Sequence, residues 1–181
     1  MISKEKLEQL MAQTESDVDL AKAISDSIVA EKAQDLDSLM RDIQYNIVNV
    51  DNPADSVIEY YFMQLTNALY FINTQIEYHG FYEDITKANF KLKYNEQYSE
   101  KQLLNVQNNI KGTVADLQMY AERTSMDEQM LHLIYSRTVA ILKGKINAAG
   151  EMIRTLSKIL TAHMNEAYVT RGAKYFGDKE I

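Results

Sequence analysis

Residues Ser125 to Tyr168 read SMDEQMLHLIYSRTVAILKGKINAAGEMIRTLSKILTAHMNEAY, and apolar side chains recur in this stretch at helical spacing. They alternate four and three residues apart, a period that keeps apolar groups in line on one side of a helix for contact with a partner helix. The seam consists of Tyr135, Val139, Leu142, Ile146, Ala149, Ile153, Leu156 and Leu160. We predict one long helix whose seam is covered by another helix, which is typical of a binding or assembly protein.

The same helix carries basic residues away from its apolar seam. At about 100° per residue, Lys143 and Arg154 nearly eclipse each other and Lys158 lies roughly 60° from Lys143, whereas the seam is centred on the far side. This placement predicts a basic side that is left to solvent or to an anion.

A second seam follows Pro53, the only proline of the chain. Proline favours the first helical position, so a helix is predicted to start there after a capping Asp51 or Asn52. The second seam consists of Ile58, Phe62, Leu65, Leu69, Ile72 and Ile76. Because the two seams share one period, they are natural antiparallel partners. Gly80 interrupts or kinks this helix.

Shorter helices are predicted on either side. A helix capped by Ser3 carries Leu7, Leu10 and Met11, one capped by Ser16 or Asp17 carries Leu20, Ile24 and Ile28, and a further apolar set is Leu36, Leu39, Ile43 and Ile47. Thr113 and Ser125 each begin a capping box, and the two bracket a short helix over residues 114–123.

The predicted fold is therefore all-α, an elongated helical bundle with long antiparallel coiled-coil-like helices. It comprises an acidic N-terminal helical region over residues 1–52, a helical bundle with a basic C-terminal helix over residues 53–168, and a flexible tail over residues 169–181. The tail is expected to be mobile because it lacks periodicity.

Composition bounds the class of protein. The chain has no cysteine, which excludes disulfides and thiolate metal sites. No run approaches the roughly 18 to 20 apolar residues of a membrane span, and the N-terminus lacks the apolar core of a signal peptide. These features predict a soluble protein with no membrane partner. Its predicted location is the cytoplasm, or the host cytoplasm if a phage encodes it.

The net charge of −7 hides an asymmetry between the two halves. Residues 1–86 carry five Lys or Arg and sixteen Asp or Glu, a net −11, whereas residues 87–181 carry fourteen and ten, a net +4. Such a split is typical of a basic surface for a polyanion beside an acidic arm, or of head-to-tail contacts between subunits. A requirement for solubility alone would also explain this charge split.

Motifs for catalysis are missing. The Glu-x-x-His pairs of di-iron bundles and the glycine-rich loops that cradle phosphate do not occur. Of the three histidines, His132 follows Glu128 by four residues, and such a pair is more typical of a helix surface than of a metal site. We predict no enzyme, no cofactor and no metal site.

Cationic and aromatic residues remain as candidates for nucleic-acid binding. Phe90, Tyr94 and Tyr98 recur every four residues beside Lys91, Lys93 and Lys101. Basic grooves with aromatic platforms hold single strands because bases stack on the rings. The predicted binding residues are Lys91, Lys93, Arg137, Lys143, Lys145, Arg154 and Lys158. In the alternative interpretation the tyrosines cover the bundle and the lysines only solvate it.

The C-terminal half resembles the UvsY-like recombination mediators of tailed phages. The resemblance rests on TVADLQMYAERTS, from Thr113 to Ser125, and on IYSRTVAILKGKINAAGEMIRTLSKIL, from Ile134 to Leu160, within residues 58–164. It implies a ring-forming, non-enzymatic homo-oligomer that binds single-stranded DNA and helps a recombinase displace a single-strand-binding protein. The matched basic residues are Arg137, Lys143, Lys145, Arg154 and Lys158. Residues 1–52 have no counterpart in this pattern.

Three functional hypotheses follow. The first is a phage-type, oligomeric accessory protein of recombination or repair that binds single-stranded DNA. The second is an assembly or scaffolding protein, for example of a virion, whose seams make subunit contacts. The third is a helical adaptor or inhibitor whose acidic N-terminal helices bind a protein partner.

Overall fold

A computed structural model describes residues 5, 8, 9 and 16–177, with side chains up to residue 169. Every regular element in this described part is helical, which confirms the all-α fold. The elements are α1 (Asp17–Lys32), α2 (Gln34–Ile43), a π-helical turn (Gln44–Val48), α3 (Asp55–Gln107), α4 (Val114–Thr124) and α5 (Met126–Gly177). The apolar residues of the helix predicted to start at Ser3 lie outside the described residues.

The chain divides into two compact units, and the long helices α3 and α5 each contribute to both. Unit 1 comprises Met1–Lys32 and Thr74–Lys143, and unit 2 comprises Ala33–Asn73 and Gly144–Ile181. All residues of the two predicted seams are buried or half-buried. The antiparallel coiled-coil geometry stays a prediction.

Unit 1 packs α1 closely against α5. The hydroxyl of Ser25, which donates to the Ala21 carbonyl at 2.7 Å, also lies 3.1 Å from the carbonyl oxygen of Ile134. Both Ser25 and Ala21 are fully buried, so small residues let the two helices approach. On the neighbouring part of α3, Tyr82 stacks on Tyr135 with 5.4 Å between ring centroids.

Unit 2 has a core of branched aliphatic side chains. Its fully or almost fully buried members are Leu36, Ile43, Ile47, Ile58, Leu65 and Leu156. At its surface the Asn46 amide donates to the Tyr61 hydroxyl at 2.8 Å, which joins the π-helical turn to α3. Burial of these side chains supplies the main stabilisation of the unit.

Only one of the two predicted capping boxes forms. The Thr113 side chain accepts from the Asp116 amide, and the Asp116 carboxylate accepts from the Thr113 amide at 3.0 Å, so α4 starts as predicted. The prediction of a second capping box at Ser125 is wrong. Ser125 is fully buried and its hydroxyl donates back to the Ala121 carbonyl at 2.7 Å, so its side chain does not cap α5. Its backbone carbonyl still accepts the first helical hydrogen bond of α5, from the Gln129 amide at 3.1 Å.

Three predicted helix boundaries also differ from the structure. Pro53 lies outside α3, because the Ala54 carbonyl accepts the first helical hydrogen bond, from Ile58, at 3.2 Å. Gly80 neither ends nor interrupts α3. The last helix continues beyond Tyr168 to Gly177.

Candidate nucleic-acid interface

A ladder of three aromatic rings runs along the unit 1 part of α3. Phe90, Tyr94 and Tyr98 are four residues apart, which places them on one face of the helix. The ring centroids of Phe90 and Tyr94 are 6.2 Å apart, and those of Tyr94 and Tyr98 are 6.5 Å apart with planes inclined by 24°. All three rings are half-buried, so part of each remains accessible to solvent.

Lysines flank the ladder on the same helix. Lys91 and Lys87 are exposed, Lys93 is half-exposed, and none of the three forms an ion pair within the described residues. Lys101 places its ammonium 5.1 Å from the ring centroid of Tyr120, a cation–π contact that ties α3 to α4. Sequence reasoning missed Lys87, although its position one turn before Lys91 was a sufficient signal.

The first two rings of the ladder open into a groove of about 550 Å³. Its lining residues are Phe90, Lys91, Tyr94, Asn95, Glu122 and Gln129. The groove therefore combines two π-faces, one cation, one carboxylate and two amides. Such a mixture suits a flat, hydrogen-bonding group with a nearby negative charge, and a nucleotide is one such group.

Three of the predicted cations have carboxylate partners. Arg137 contacts Asp26 of α1 at 3.1 Å, and Lys145 contacts both oxygens of Asp37 of α2 at 2.5 and 2.7 Å. Arg154 pairs with a neighbour on its own helix, Glu151. For these three residues the structure corrects the expectation of a free basic side. Acidic residues of the N-terminal helices reach the basic helix within each unit and reduce its positive potential.

Lys143 and Lys158 are exposed and form no ion pair with any described residue. Lys143 belongs to unit 1 and Lys158 to unit 2, so each adds a cation to the surface of its own unit. Of the seven residues predicted to bind nucleic acid, four thus keep an uncompensated charge. Two of these four, Lys91 and Lys93, flank the aromatic ladder.

The histidines do not come together. His79 is only 5% exposed and neither ring nitrogen has a hydrogen-bond partner, so burial lowers its pKa, and the nearby Lys32 charge lowers it further. His163 lies 2.7 Å from a carboxylate oxygen of Asp55. The expected Glu128–His132 pair forms no hydrogen bond among those described. In the part of the chain that the structure covers, no group of three His, Asp or Glu residues could hold a metal ion.

Sequence reasoning also missed a second apolar stripe on α3, which we call the outer stripe. Within unit 1 it comprises Tyr78, Phe81, Ile85, Leu92, Leu103 and Val106, all exposed to solvent. At about 100° per residue these side chains fall within roughly 80° of arc, on the side of α3 away from Ile72 and His79. The spacing of these residues is visible in the sequence. Whether such a set faces the core or the solvent depends on burial, which the sequence alone does not give.

Comparison of the chain with protein-family models, with curated proteins and with solved structures finds no match. Among the helices of the described residues, none is both long enough and apolar enough to cross a membrane.

Proposed function

We propose that this chain is a non-enzymatic, homo-oligomeric helical protein that binds single-stranded DNA through the aromatic ladder of α3. The proposal is supported by one observation above all. Half-buried rings of Phe90 and Tyr94 lie in an open groove beside Lys91, whose charge no described carboxylate neutralises. Aromatic rings beside a free cation are the two components that single-strand binding requires.

The spacing of the rings favours an unpaired strand over a duplex. The rings of Tyr94 and Tyr98, inclined by only 24°, have centroids 6.5 Å apart, close to twice the rise of about 3.4 Å per nucleotide of a strand, whereas the planes of Phe90 and Tyr94 are inclined by 59°. Bases can stack on such rings only when they are not already paired and stacked in a double helix. Each stacked base would contribute roughly 1 to 3 kcal/mol.

The electrostatic contribution of one subunit is small. Arg137, Lys145 and Arg154 are compensated, so few free lysines remain for phosphate contacts. Because the salt-dependent part of affinity scales with the number of phosphates contacted, useful affinity requires several subunits on one strand. This requirement agrees with an oligomeric accessory protein of phage recombination or repair. In that role a recombinase and a single-strand-binding protein would be its partners, in the cytoplasm of the host.

Fluorescence anisotropy with a labelled oligothymidylate tests the proposal. Tyr94→Ala removes the middle ring, and Lys87→Glu reverses a charge beside the ladder without entering the groove. We expect both variants to weaken binding, and Lys87→Glu to reduce the slope of log K against log salt by about 0.7 for each lost phosphate contact. Lys22→Glu, at an exposed lysine of α1, is the matched control. Absence of binding by the wild-type chain at low salt would overturn the proposal.

A second candidate function is an assembly or scaffolding protein. The exposed outer stripe favours it, since contiguous apolar surface on a soluble protein marks a protein interface. One measurement of mass in solution, with and without oligonucleotide, distinguishes the two functions. A scaffolding protein would form the same oligomers in both samples, whereas a single-strand-binding protein would shift to a heavier complex with DNA.

A further inference from the structure

The outer stripe of α3 has the periodicity of a coiled-coil seam. Taking Tyr78 as position a of a heptad, the a positions are Tyr78, Ile85, Leu92, Ser99 and Val106, and the d positions are Phe81, Ala88, Asn95 and Gln102. All nine side chains are exposed. Phe81 and Leu92 are 63% and 62% exposed, so no described residue of unit 1 covers these large apolar groups of the seam.

We propose that the outer stripe of unit 1 binds the same stripe of a second copy in antiparallel orientation. The partner is identified by charge. The unit 1 part of α3 over residues 74–86 carries three Asp or Glu and no Lys or Arg, whereas residues 87–107 carry four Lys and two Glu. Antiparallel pairing brings the acidic end of one helix to the basic end of the other, and parallel pairing would bring the two acidic ends together.

The register follows from the residues that flank the seam. In antiparallel coiled coils an a residue packs beside a d residue of the partner helix, and g residues meet across the seam. When Ile85 packs against the second copy's Ala88, the g residues Asp84 and Lys91 face each other twice, once on each side of the two-fold axis. Asp84 and Lys91 are both exposed and lack ion-pair partners in the described chain.

The stripe offers the area of a weak, reversible interface. Aromatic side chains bury about 150 to 250 Å² each, so Tyr78 and Phe81 from two copies supply roughly 500 Å² at their present exposure. In the register given above the two stripes overlap over residues 78–95, so Ile85 and Leu92 of both copies add to this area while Leu103 and Val106 lie beyond the contact. The total stays below the roughly 1,000 Å² of a stable interface and is in the range of weak, reversible association. The pairing forms without DNA, but the second copy's Asp84 and a phosphate group would compete for Lys91, which also lines the groove.

Mass measurement by light scattering on the full chain without DNA tests the surface. We expect a dimer or a higher even-numbered oligomer that Phe81→Glu converts to smaller species. Met119→Glu is the matched control, because Met119 is 66% exposed but lies on α4. Circular dichroism of both variants verifies that the helices remain. A monomeric wild-type chain, or equal masses for Phe81→Glu and wild type, would overturn the proposal.

Disulfide cross-linking tests the orientation, since the chain has no cysteine of its own. In the antiparallel register Tyr78 lies beside the second copy's Asn95, while the two Tyr78 residues are about 25 Å apart at about 1.5 Å per residue. A mixture of Tyr78→Cys and Asn95→Cys chains should therefore form the mixed disulfide in high yield, because only neighbouring cysteines can be bridged. Cross-linking of each variant with itself would show parallel pairing and refute the orientation.

Discussion

Lys145 of α5 holds both carboxylate oxygens of Asp37 of α2, at 2.5 and 2.7 Å, within unit 2. The lysine side chain is 27% exposed and the aspartate side chain 43% exposed, so solvent screens the pair only in part. The contact joins an acidic helix of the first half of the sequence to the basic helix of the second. Part of the charge split between the halves is therefore satisfied inside one chain.

Asp37→Asn should lower the free energy of unfolding by about 1 kcal/mol, the upper end of the range for partly exposed ion pairs. Urea denaturation of Asp37→Asn, Lys145→Met and the double variant isolates the coupling between the two side chains. The Glu151–Arg154 pair is the control, because both of its side chains are about 70% exposed. Its coupling should be about 0.5 kcal/mol or less. Equal coupling in the two cycles would contradict a special role for Asp37.

The capping box of α4 makes a prediction about pH. Thr113→Ala should cost about 1 kcal/mol, since it leaves the Asp116 amide without its side-chain acceptor. The Thr113 amide, and then its hydroxyl, hold the pKa of Asp116 below its ordinary value of 3.8. The stabilisation is therefore present above about pH 3.8 and is lost as pH falls through the lower, folded-state pKa. Thr113→Ser should retain the box, and Ser125→Ala should leave this pH dependence unchanged.

His79 predicts a second pH dependence, of the same sign, in a different range. Burial first, and then the Lys32 charge, lower its pKa below 6.5, so the unfolded chain binds a proton more readily than the folded one. Stability should fall as pH drops below about 6.5, towards the folded-state pKa. Tyr78 and Tyr135 pack around His79 and Glu31 lies nearby, but none of them gives the ring a hydrogen bond.

Thermal unfolding between pH 7.5 and 5 checks the His79 prediction. His79→Leu should flatten the pH dependence because the leucine has no proton to bind, and Lys32→Gln should flatten it in part. An unchanged pH profile of the His79→Leu variant would show that other groups cause the acid sensitivity.

Charge reversal at the outer stripe gives a fourth prediction. Asp84→Lys should weaken self-association several-fold at low salt, because it places two lysines opposite each other at two symmetric points. Adding Lys91→Asp should restore association, and raising the salt should diminish both effects. Glu96→Lys is the control, since Glu96 would face Lys91 only in a parallel pair. Sedimentation equilibrium provides the dissociation constants.

The inner seams and the Thr113 box were predictable from sequence because they depend on local periodicity and on contacts three or four residues apart. Ser125 shows the limit of that reasoning. It has the same local pattern as Thr113, yet its complete burial turns the hydroxyl back to the Ala121 carbonyl. The start of α3 also differs from the prediction, because the carbonyl of Ala54, after Pro53, accepts the first helical hydrogen bond.

Sequence spacing identified the residues of the candidate site. It did not show which of the cations are neutralised by carboxylates. The ladder of Phe90, Tyr94 and Tyr98 follows directly from spacing. The compensation of Arg137 by Asp26 and of Lys145 by Asp37 joins residues more than 100 positions apart, which no local pattern encodes. The outer stripe escaped notice because a helix with apolar residues on two opposite sides has little net amphipathicity.

The exposed apolar face of α3 would make the self-association of this chain depend on its concentration. By mass action, scarce copies would leave Phe81 and Leu92 in water, and plentiful copies would cover them. Expression level alone would then decide which form predominates, without any modification or small-molecule effector.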